Sequence, residues 1–268
     1  MIVKTIIIVV MSFNVRYNNP GDGINSWENR KEIVVNLIET HSPDFLGMQE
    51  VRKSQLDYLG DNLTGYGNFS QPRTEDPEDE SCPVFYMKDK FELLESNTFW
   101  LSETPGKPSK SWDAALNRIV TWGKFMHKET GKIVFYFNTH FDHIGEQARL
   151  ESAKLLRKKI KEIAGSEEYF VTGDFNFDPS TKEYEVITSD DTSGARMIDV
   201  SQFSEDTDRN KGTFTGFDLT KPATGPIDYI FVNPTITVKS YKVIDTTYGG
   251  SLPSDHFPVK AVLELKTD

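Results

Sequence analysis

Asparagine, aspartate, glutamate and histidine residues cluster in six short groups along the 268-residue sequence. Four groups follow apolar runs, one opens an apolar run and one precedes the final run. The groups are centred on Asn14, Glu50, His140, Asp174, Asp228 and Asp255-His256. Oxygen-rich side chains with imidazole and without cysteine are ligands that Mg²⁺ and Mn²⁺ prefer. The residue types therefore predict a site for a hard divalent cation, the kind that activates water and neutralises phosphate oxygens.

Each group taken alone also has a purely structural explanation. Asp and Asn beside Gly or Pro favour turns, and a single glutamate at a strand end is usually solvated. Six groups of the same chemical character in one chain favour a shared site over six unrelated turns.

The elements that would position these groups are mostly short strands. Apolar, β-branched runs predict strands at Ile2–Val15, Phe45–Met48, Val84–Met87, Ile119–Met126, Ile133–Asn138, Tyr169–Thr172, Ile227–Val232, Thr237–Val243 and Val259–Leu265. Helical periodicity appears at Asn29–Thr40, Ser54–Asn62 and Glu146–Ala164. The polar segments Gln71–Pro83 and Thr188–Gly216 predict surface loops. The pattern predicts one α/β domain over residues 1–268, with buried sheets covered by helices.

Charge narrows the class of substrate. Thirty Lys and Arg against 41 Asp and Glu give a net charge of −11, which repels nucleic acid at long range. The Thr74–Glu80 segment is especially acidic. A small phosphorylated substrate is therefore favoured over bulk DNA, although a local basic patch would still permit a nuclease.

The single cysteine, Cys82, cannot form an internal disulfide, which favours a reducing compartment. The apolar run Lys4–Met11 is too short to span a membrane, and it is interpreted as a first strand rather than a secretory signal. We expect a cytoplasmic, monomeric protein without a transmembrane segment.

The six groups, in their order along the chain, resemble the endonuclease/exonuclease/phosphatase superfamily. The motifs are Phe-Asn14-Val, Gln-Glu50, Thr-His140, Gly-Asp174-Phe-Asn176, Ile-Asp228-Tyr and Ser-Asp255-His256-Phe-Pro. Gly-Asp-Phe-Asn and Ser-Asp-His are weak patterns singly, but the ordered set is specific. The resemblance implies a four-layered sandwich, with two packed mixed β-sheets flanked by helices, and the activity of a Mg²⁺- or Mn²⁺-dependent phosphoesterase.

By this resemblance, Glu50 is the principal metal ligand. Asn14 would lie near both the metal and a phosphate oxygen, because a carboxamide donates and accepts without adding negative charge. Asp255 would complete the metal environment directly or through water.

The remaining residues would serve the reaction. Asp174 is placed to orient or deprotonate the attacking water, and Asn176 would act as a donor opposite Asn14. His256 would pair with Asp228, which fixes the imidazole tautomer and stabilises its charged form. His140 would face the phosphate from the other side, as a donor or proton source; which histidine has which role stays open.

Arg118 is a further candidate for binding phosphate, since an arginine has this role in some relatives and a guanidinium forms paired hydrogen bonds with phosphate. A solvated arginine at a strand end is the alternative. The tryptophans Trp27, Trp112 and Trp122 could stack on a base or sugar, or belong to the core.

Two other classes of protein remain as alternatives. Asn138-Thr-His140-Phe-Asp142-His143 partly matches a zinc-binding motif of metallo-β-lactamase-like hydrolases, with Asn138 in place of the first histidine; only His256 is left as a later histidine ligand. The alternative is that Asp142 and His143 mark a subgroup of the family and shape the pocket, and their role stays open. A phosphate-binding module without turnover is also possible, because a fold does not guarantee activity. It would be expected to have lost Glu50, Asp174 or His256, and all three are present.

Overall fold

A computed structural model describes residues 5–203 and 208–267 of the chain. The start of the predicted first strand, Ile2–Lys4, lies outside the described residues, as do residues 204–207 of the predicted loop Thr188–Gly216. In the described part, no helix is long and apolar enough to cross a membrane.

The first sheet contains six strands in the order β11-β12-β1-β2-β4-β3. The strands are β1 (Thr5–Asn14), β2 (Phe45–Gln49), β3 (Tyr66–Phe69), β4 (Val84–Met87), β11 (Thr237–Val243) and β12 (Val259–Lys266). Only β1 and β2 run parallel, and the other neighbours are antiparallel.

The second sheet also contains six strands, in the order β5-β6-β7-β8-β10-β9. They are β5 (Phe91–Trp100), β6 (Ile119–His127), β7 (Ile133–His140), β8 (Glu168–Asp174), β9 (Ile198–Asp199) and β10 (Asp228–Val232). Here β7 and β8 form the parallel pair. Each sheet is therefore mixed, as the family resemblance implies.

Among the described residues, three large apolar clusters hold the layers together. One cluster lies between the sheets and includes Ile8, Val10 and Phe170. Because side chains alternate along a strand, the neighbouring positions Met11 and Phe13 of β1 face the other way, into a second cluster.

The helices lie outside the sheets. They are α1 (Trp27–His41), α2 (Lys53–Asn62), α3 (Glu146–Ala164) and α4 (Lys182–Thr188). Buried residues of α1 and α2 belong to the cluster with Met11, whereas those of α3 and α4 pack on the second sheet. The order is helices, sheet, sheet, helices, which confirms the predicted four-layered sandwich.

The sheets approach closely near their functional edge. A Cβ atom at Gly47 would lie 2.1 Å from Oγ1 of Thr172 and 2.4 Å from Oδ1 of Asn138, so β2 needs glycine there. Buried Asn138 joins the sheets: its Nδ2 donates to the carbonyls of Met48 at 2.7 Å and Pro83 at 3.0 Å. Its Oδ1 accepts from Gln49 at 2.7 Å.

Most predicted elements are present, with ends shifted by a few residues. The helix predicted at Asn29–Thr40 begins at Trp27 and ends at His41. Strands β3, β5 and β9 and helix α4 were not predicted. The segment Gln71–Pro83 has no strand or helix of its own, but Thr188–Gly216 was wrong as a continuous loop, because it contains β9 and a 3-10 helix at Val200–Phe203.

Candidate active site

Strand register brings the six polar groups to one edge of the sandwich. Asn14 is opposite Gln49 in the parallel pair β1–β2, and His140 is opposite Asp174 in the parallel pair β7–β8. Asp228 opens β10 opposite Asp174. The carboxyl ends of parallel strands meet at one edge of a sheet, so residues that are distant in sequence become neighbours.

The last group reaches the same edge from the opposite direction. Strand β12 is antiparallel to β1 and begins with Val259 opposite Ser12. The preceding turn is fixed to β1, because the Ser254 hydroxyl donates to the carbonyl of Asn14 at 2.6 Å. Asp255 and His256 are therefore held beside the end of β1.

Asn14 links two carboxylates at the centre of the site. Its Nδ2 donates to Oε1 of Glu50 at 3.2 Å and to Oδ2 of Asp174 at 3.0 Å. The backbone N–H of Tyr17 donates to the other Glu50 oxygen at 3.2 Å. Burial, followed by the charge of Asp228, raises the pKa of Asp174 to about 7. A base that titrates near neutrality is suited to accepting a proton from water.

His256 and Asp228 form a buried pair, with Nδ1 2.8 Å from Oδ2. Burial lowers the pKa of His256, but the charge and hydrogen bond of Asp228 outweigh it and raise the pKa to about 10. The other ring nitrogen, Nε2, lies 3.8 Å from Oδ2 of Asp174. The imidazole therefore presents a proton towards the centre of the site.

His140 approaches the same carboxylate from β7, with Nε2 3.4 Å from Oδ2 of Asp174. Burial and the nearby charge of Arg118 lower the pKa of His140 well below its usual range. The two histidines thus lie against one carboxylate but favour opposite charge states at neutral pH.

Arg118 is 5% exposed and is not a solvated arginine. Its guanidinium lies 3.4 Å from Oδ2 of Asp142 and 3.0 Å from Nδ1 of His143. Asp142 also accepts four backbone N–H bonds, two from each flanking loop. Burial raises the pKa of Asp142, but these four bonds outweigh it and lower the pKa to about 2. Asp142 and His143 thus hold Arg118 against the site.

Asn176 follows Asp174 closely and is held by two bonds. Its backbone N–H donates to Oδ1 of Asp174 at 3.0 Å, and its Nδ2 donates to the carbonyl of Phe141 at 3.0 Å. Asn176 has a φ of 52° and Glu50 a φ of 61°, in the left-handed region that non-glycine residues rarely adopt. Such backbone strain is concentrated at functional sites.

A pocket of about 500 Å³ opens over these residues. Seven of the nine predicted site residues line it: Glu50, Arg118, His140, Asp174, Asn176, Asp255 and His256. The other two, Asn14 and Asp228, lie behind the lining and bond to it. All nine are therefore brought together.

Several lining residues were not predicted as part of the site: Arg16, Tyr17, Arg52, Arg73, Glu80, Leu116, Phe214 and Ile227. Some had an available sequence signal, since Arg16-Tyr17 directly follows the Asn14 motif and Arg52 lies two residues after Glu50. Phe214 had none, because it comes from the segment assigned to a surface loop. Its ring packs against that of His256, with centroids 5.0 Å apart.

Arg30 lies beneath the loops of the site, and its role was not predicted from the sequence. It is 1% exposed on α1 and donates to the carbonyls of Val15 at 2.9 Å and of Pro253. These carbonyls belong to the segments that follow β1 and precede Asp255. A single buried side chain therefore ties together two loops of the site.

The donors fit a hard divalent cation. Glu50 and Asp255 present carboxylate oxygens to the pocket, and oxygen ligands are those that Mg²⁺ and Mn²⁺ take. Asp174, Asp228 and His256 form a second arrangement, with ligand atoms within 4.8 Å of one another. A cation there would compete with the 2.8 Å bond between Asp228 and His256, so the Glu50 side is the better fit.

The zinc alternative does not fit the position of Asn138. Its side chain is fully buried between the sheets, where it bonds to backbone carbonyls. Asp142 is occupied by backbone N–H groups and Arg118. These two members of the motif therefore do not form part of a histidine-rich metal site. Among the tryptophans, Trp27 and Trp122 are buried in the core, and none of the three lines the pocket.

Solved structures similar over nearly the whole chain include two from Bacteroides. An endonuclease/exonuclease/phosphatase from Bacteroides vulgatus is 41% identical, with a TM-score of 0.90, covering 97% of this chain and 99% of that one. A mannosyl-6-phosphatase from Bacteroides thetaiotaomicron VPI-5482 is 36% identical, with a TM-score of 0.88, covering 96% and 99%.

More distant relatives include the 3'-5'-exoribonuclease subunit Ccr4 of the CCR4-Not complex from Candida albicans, which is 25% identical over 90% of this chain. Nocturnin from Drosophila melanogaster is 22% identical over 90% of this chain. The chain spans 38% and 42% of the lengths of these two proteins. The model of the endonuclease/exonuclease/phosphatase family matches residues 11–256, and the chain therefore belongs to this family of phosphoesterases.

Proposed function

We propose that the chain is a Mg²⁺- or Mn²⁺-dependent phosphatase that hydrolyses a phosphomonoester of a small polar molecule such as a sugar. The observation that carries this proposal is the form and charge of the pocket. It has a volume of about 500 Å³, which suits a compact ligand.

The acidic segment predicted to disfavour nucleic acid borders this pocket. Glu80 lines it, and Arg73, also in the lining, is neutralised by Glu80 at 2.9 Å and by Asp79 at 3.1 Å. A nuclease needs positive charge along the path of the phosphate backbone. The similarity to a mannosyl-6-phosphatase over almost the full chain supports the same substrate class.

Glu50, Asn14 and Asp255 are the residues that would hold the cation. A bound cation of this kind neutralises phosphate oxygens and lowers the pKa of water. Asp174 orients the attacking water and accepts its proton. Asn14 holds the Asp174 carboxylate in position through its hydrogen bond. His256, kept protonated by Asp228, neutralises charge on the phosphate, while Arg118 and His140 donate hydrogen bonds from the opposite wall.

The test is a substrate panel assayed with MgCl₂, MnCl₂ or EDTA. The panel contains hexose 6-phosphates, nucleoside monophosphates, bis-p-nitrophenyl phosphate, single-stranded RNA and DNA. We expect metal-dependent release of phosphate from the hexose phosphates, with little cleavage of the polymers. Preferred cleavage of RNA or DNA would identify a nuclease instead, and no turnover of any compound would favour a binding module.

Glu50→Gln probes the metal assignment, because it keeps the shape of the side chain and removes its charge. Activity should fall by about two orders of magnitude or more while the fold persists. Glu92→Gln is the matched control, since Glu92 is exposed on β5 and does not line the pocket. Equal activity of the two variants would exclude Glu50 as the principal ligand.

A further inference from the structure

Four arginines line the pocket, and three of them are neutralised by carboxylates. Arg16 forms two bonds with Asp22, at 3.0 and 3.1 Å. Arg73 is paired with Asp79 and Glu80, and Arg118 with Asp142. Carboxylates of the same chain therefore neutralise most of the positive charge of these three arginines.

Arg52 differs from the other three. Within residues 5–203 and 208–267, its guanidinium forms no ion pair, and its Nε atom is buried without a hydrogen-bond partner. Buried donors are nearly always satisfied in folded proteins. Because Arg52 lines the pocket and no carboxylate of the described residues neutralises it, its guanidinium is available to an anionic partner from outside the chain.

The surroundings of Arg52 hold it in place without neutralising it. Its guanidinium carbon lies 4.8 Å from the ring centroid of Tyr17, and its backbone N–H donates to Gln55 at 3.2 Å. Arg16 approaches the same ring, at 4.5 Å. Stacking on an aromatic ring keeps the planar donor fork oriented, which reduces the entropy lost when a ligand binds.

Arg52 reaches the pocket from a different part of the chain than the group around Asp174. It belongs to the segment between β2 and α2, beside Tyr17, whereas His140, Asp174 and His256 come from the second sheet and the turn before β12. Tyr17 in turn donates its backbone N–H to Glu50. Because Arg52 lines the same pocket as Asp174 and Glu50, a substrate with its phosphate at these two carboxylates can contact Arg52 through its non-reacting part.

We infer that Arg52 is a specificity-determining residue that binds a second anionic group of the substrate, a carboxylate or a second phosphate, away from the scissile phosphate. The inference rests on the proposed phosphatase function and specifies its substrate class as small phosphate esters that carry a second anionic group. A planar guanidinium matches both kinds of group, because each offers two oxygens to its parallel N–H donors.

The experiment compares a hexose 1,6-bisphosphate with the corresponding hexose 6-phosphate. The specificity ratio is kcat/KM for the bisphosphate divided by kcat/KM for the monophosphate, with Mg²⁺ present. We expect a ratio of about 10 or more in the unaltered protein, as befits a charge-assisted bond. Arg52→Gln should reduce the ratio to about 1–2; a value of about 2 is expected if either phosphate of the bisphosphate can be hydrolysed. Arg52→Lys should give an intermediate value, because an ammonium keeps the charge but lacks the paired donors.

Lys53→Gln is the matched control. It removes the same charge one residue away, from an exposed side chain that pairs with Asp57 on α2 and does not line the pocket. The ratio should stay as in the unaltered protein. A similar fall for Lys53→Gln and Arg52→Gln would assign the effect to general electrostatics and overturn the inference.

Calorimetric titration of both sugars in EDTA separates this inference from the proposed function. Tighter binding of the bisphosphate that is lost in Arg52→Gln, without turnover of any phosphomonoester, would uphold the role of Arg52 and refute the phosphatase. Turnover with the same ratio in both proteins would uphold the phosphatase and refute the role of Arg52. The absence of any preference for the bisphosphate in the unaltered protein would overturn the inference as well.

Discussion

Asn138 offers a direct test of how the two sheets are held together at the active-site edge. Its side chain makes four buried hydrogen bonds: two to the carbonyls of Met48 and Pro83, and two from Gln49 and Thr172. A buried hydrogen bond contributes about 1 kcal/mol net. Asn138→Ala should therefore lower the free energy of unfolding by about 4 kcal/mol, a large share of the 5–15 kcal/mol of a typical domain.

The assay is urea unfolding followed by tryptophan fluorescence, with Asn97→Ala as the control. Asn97 is exposed on β5, and among the described residues its side chain accepts a hydrogen bond only from the N–H of Thr98, so its replacement should cost less than about 0.5 kcal/mol. Asn138→Asp should destabilise more than Asn138→Ala, because a carboxylate oxygen would face two carbonyl oxygens.

The double variant of Gln49 and Asn138 examines the link between the sheets. Since their side chains are 2.7 Å apart, the two alanine substitutions should be non-additive by about 0.5–3 kcal/mol. A loss below 1 kcal/mol for Asn138→Ala, or strict additivity, would refute the reasoning that this network joins the sheets.

Three further expectations concern the site and its support. His256→Ala should lower kcat/KM by about 10²–10⁴ and Asp228→Asn by less, because the second change keeps the imidazole; negligible effects of both would break the proposed pair. Arg30→Met should cost about 3 kcal/mol in urea unfolding by leaving two buried carbonyls unpaired, and unchanged stability would contradict that support. Cys82 is 4% exposed, and burial raises its pKa to about 12. Its reaction with a thiol reagent should follow the unfolding curve, whereas rapid labelling of the folded protein would refute this.

Much of the fold was predictable because its determinants are local. The apolar, β-branched run in β1 and the periodicity of α3 depend only on which residues neighbour each other in sequence. Strand β5 escaped prediction because its middle is polar and exposed, from Glu95 to Asn97, and its pairing with β6 makes it a strand. The two residues of β9 were too short to give a pattern.

The order of the motifs likewise predicted the types of group in the site. All nine predicted residues lie in or directly behind one pocket. The sequence could not reveal the contributions of Phe214, Arg73 and Glu80, since each reaches the pocket from a loop whose path depends on the packed sheets. It also left open the role of Asp142, which became clear from its four backbone N–H bonds and its contact with Arg118.

The amino-acid sequence by itself determined the class of the protein, its strands and helices and the types of group that carry its chemistry, because these follow from short-range patterns and an ordered set of motifs. Tertiary structure alone decided the charge state and partners of those groups. The same carboxyl or guanidinium behaves differently when it is buried, paired or left unpaired, as Asp174, Asp142 and Arg52 show. Those conditions arise only when strand register brings distant residues to one edge of the sandwich.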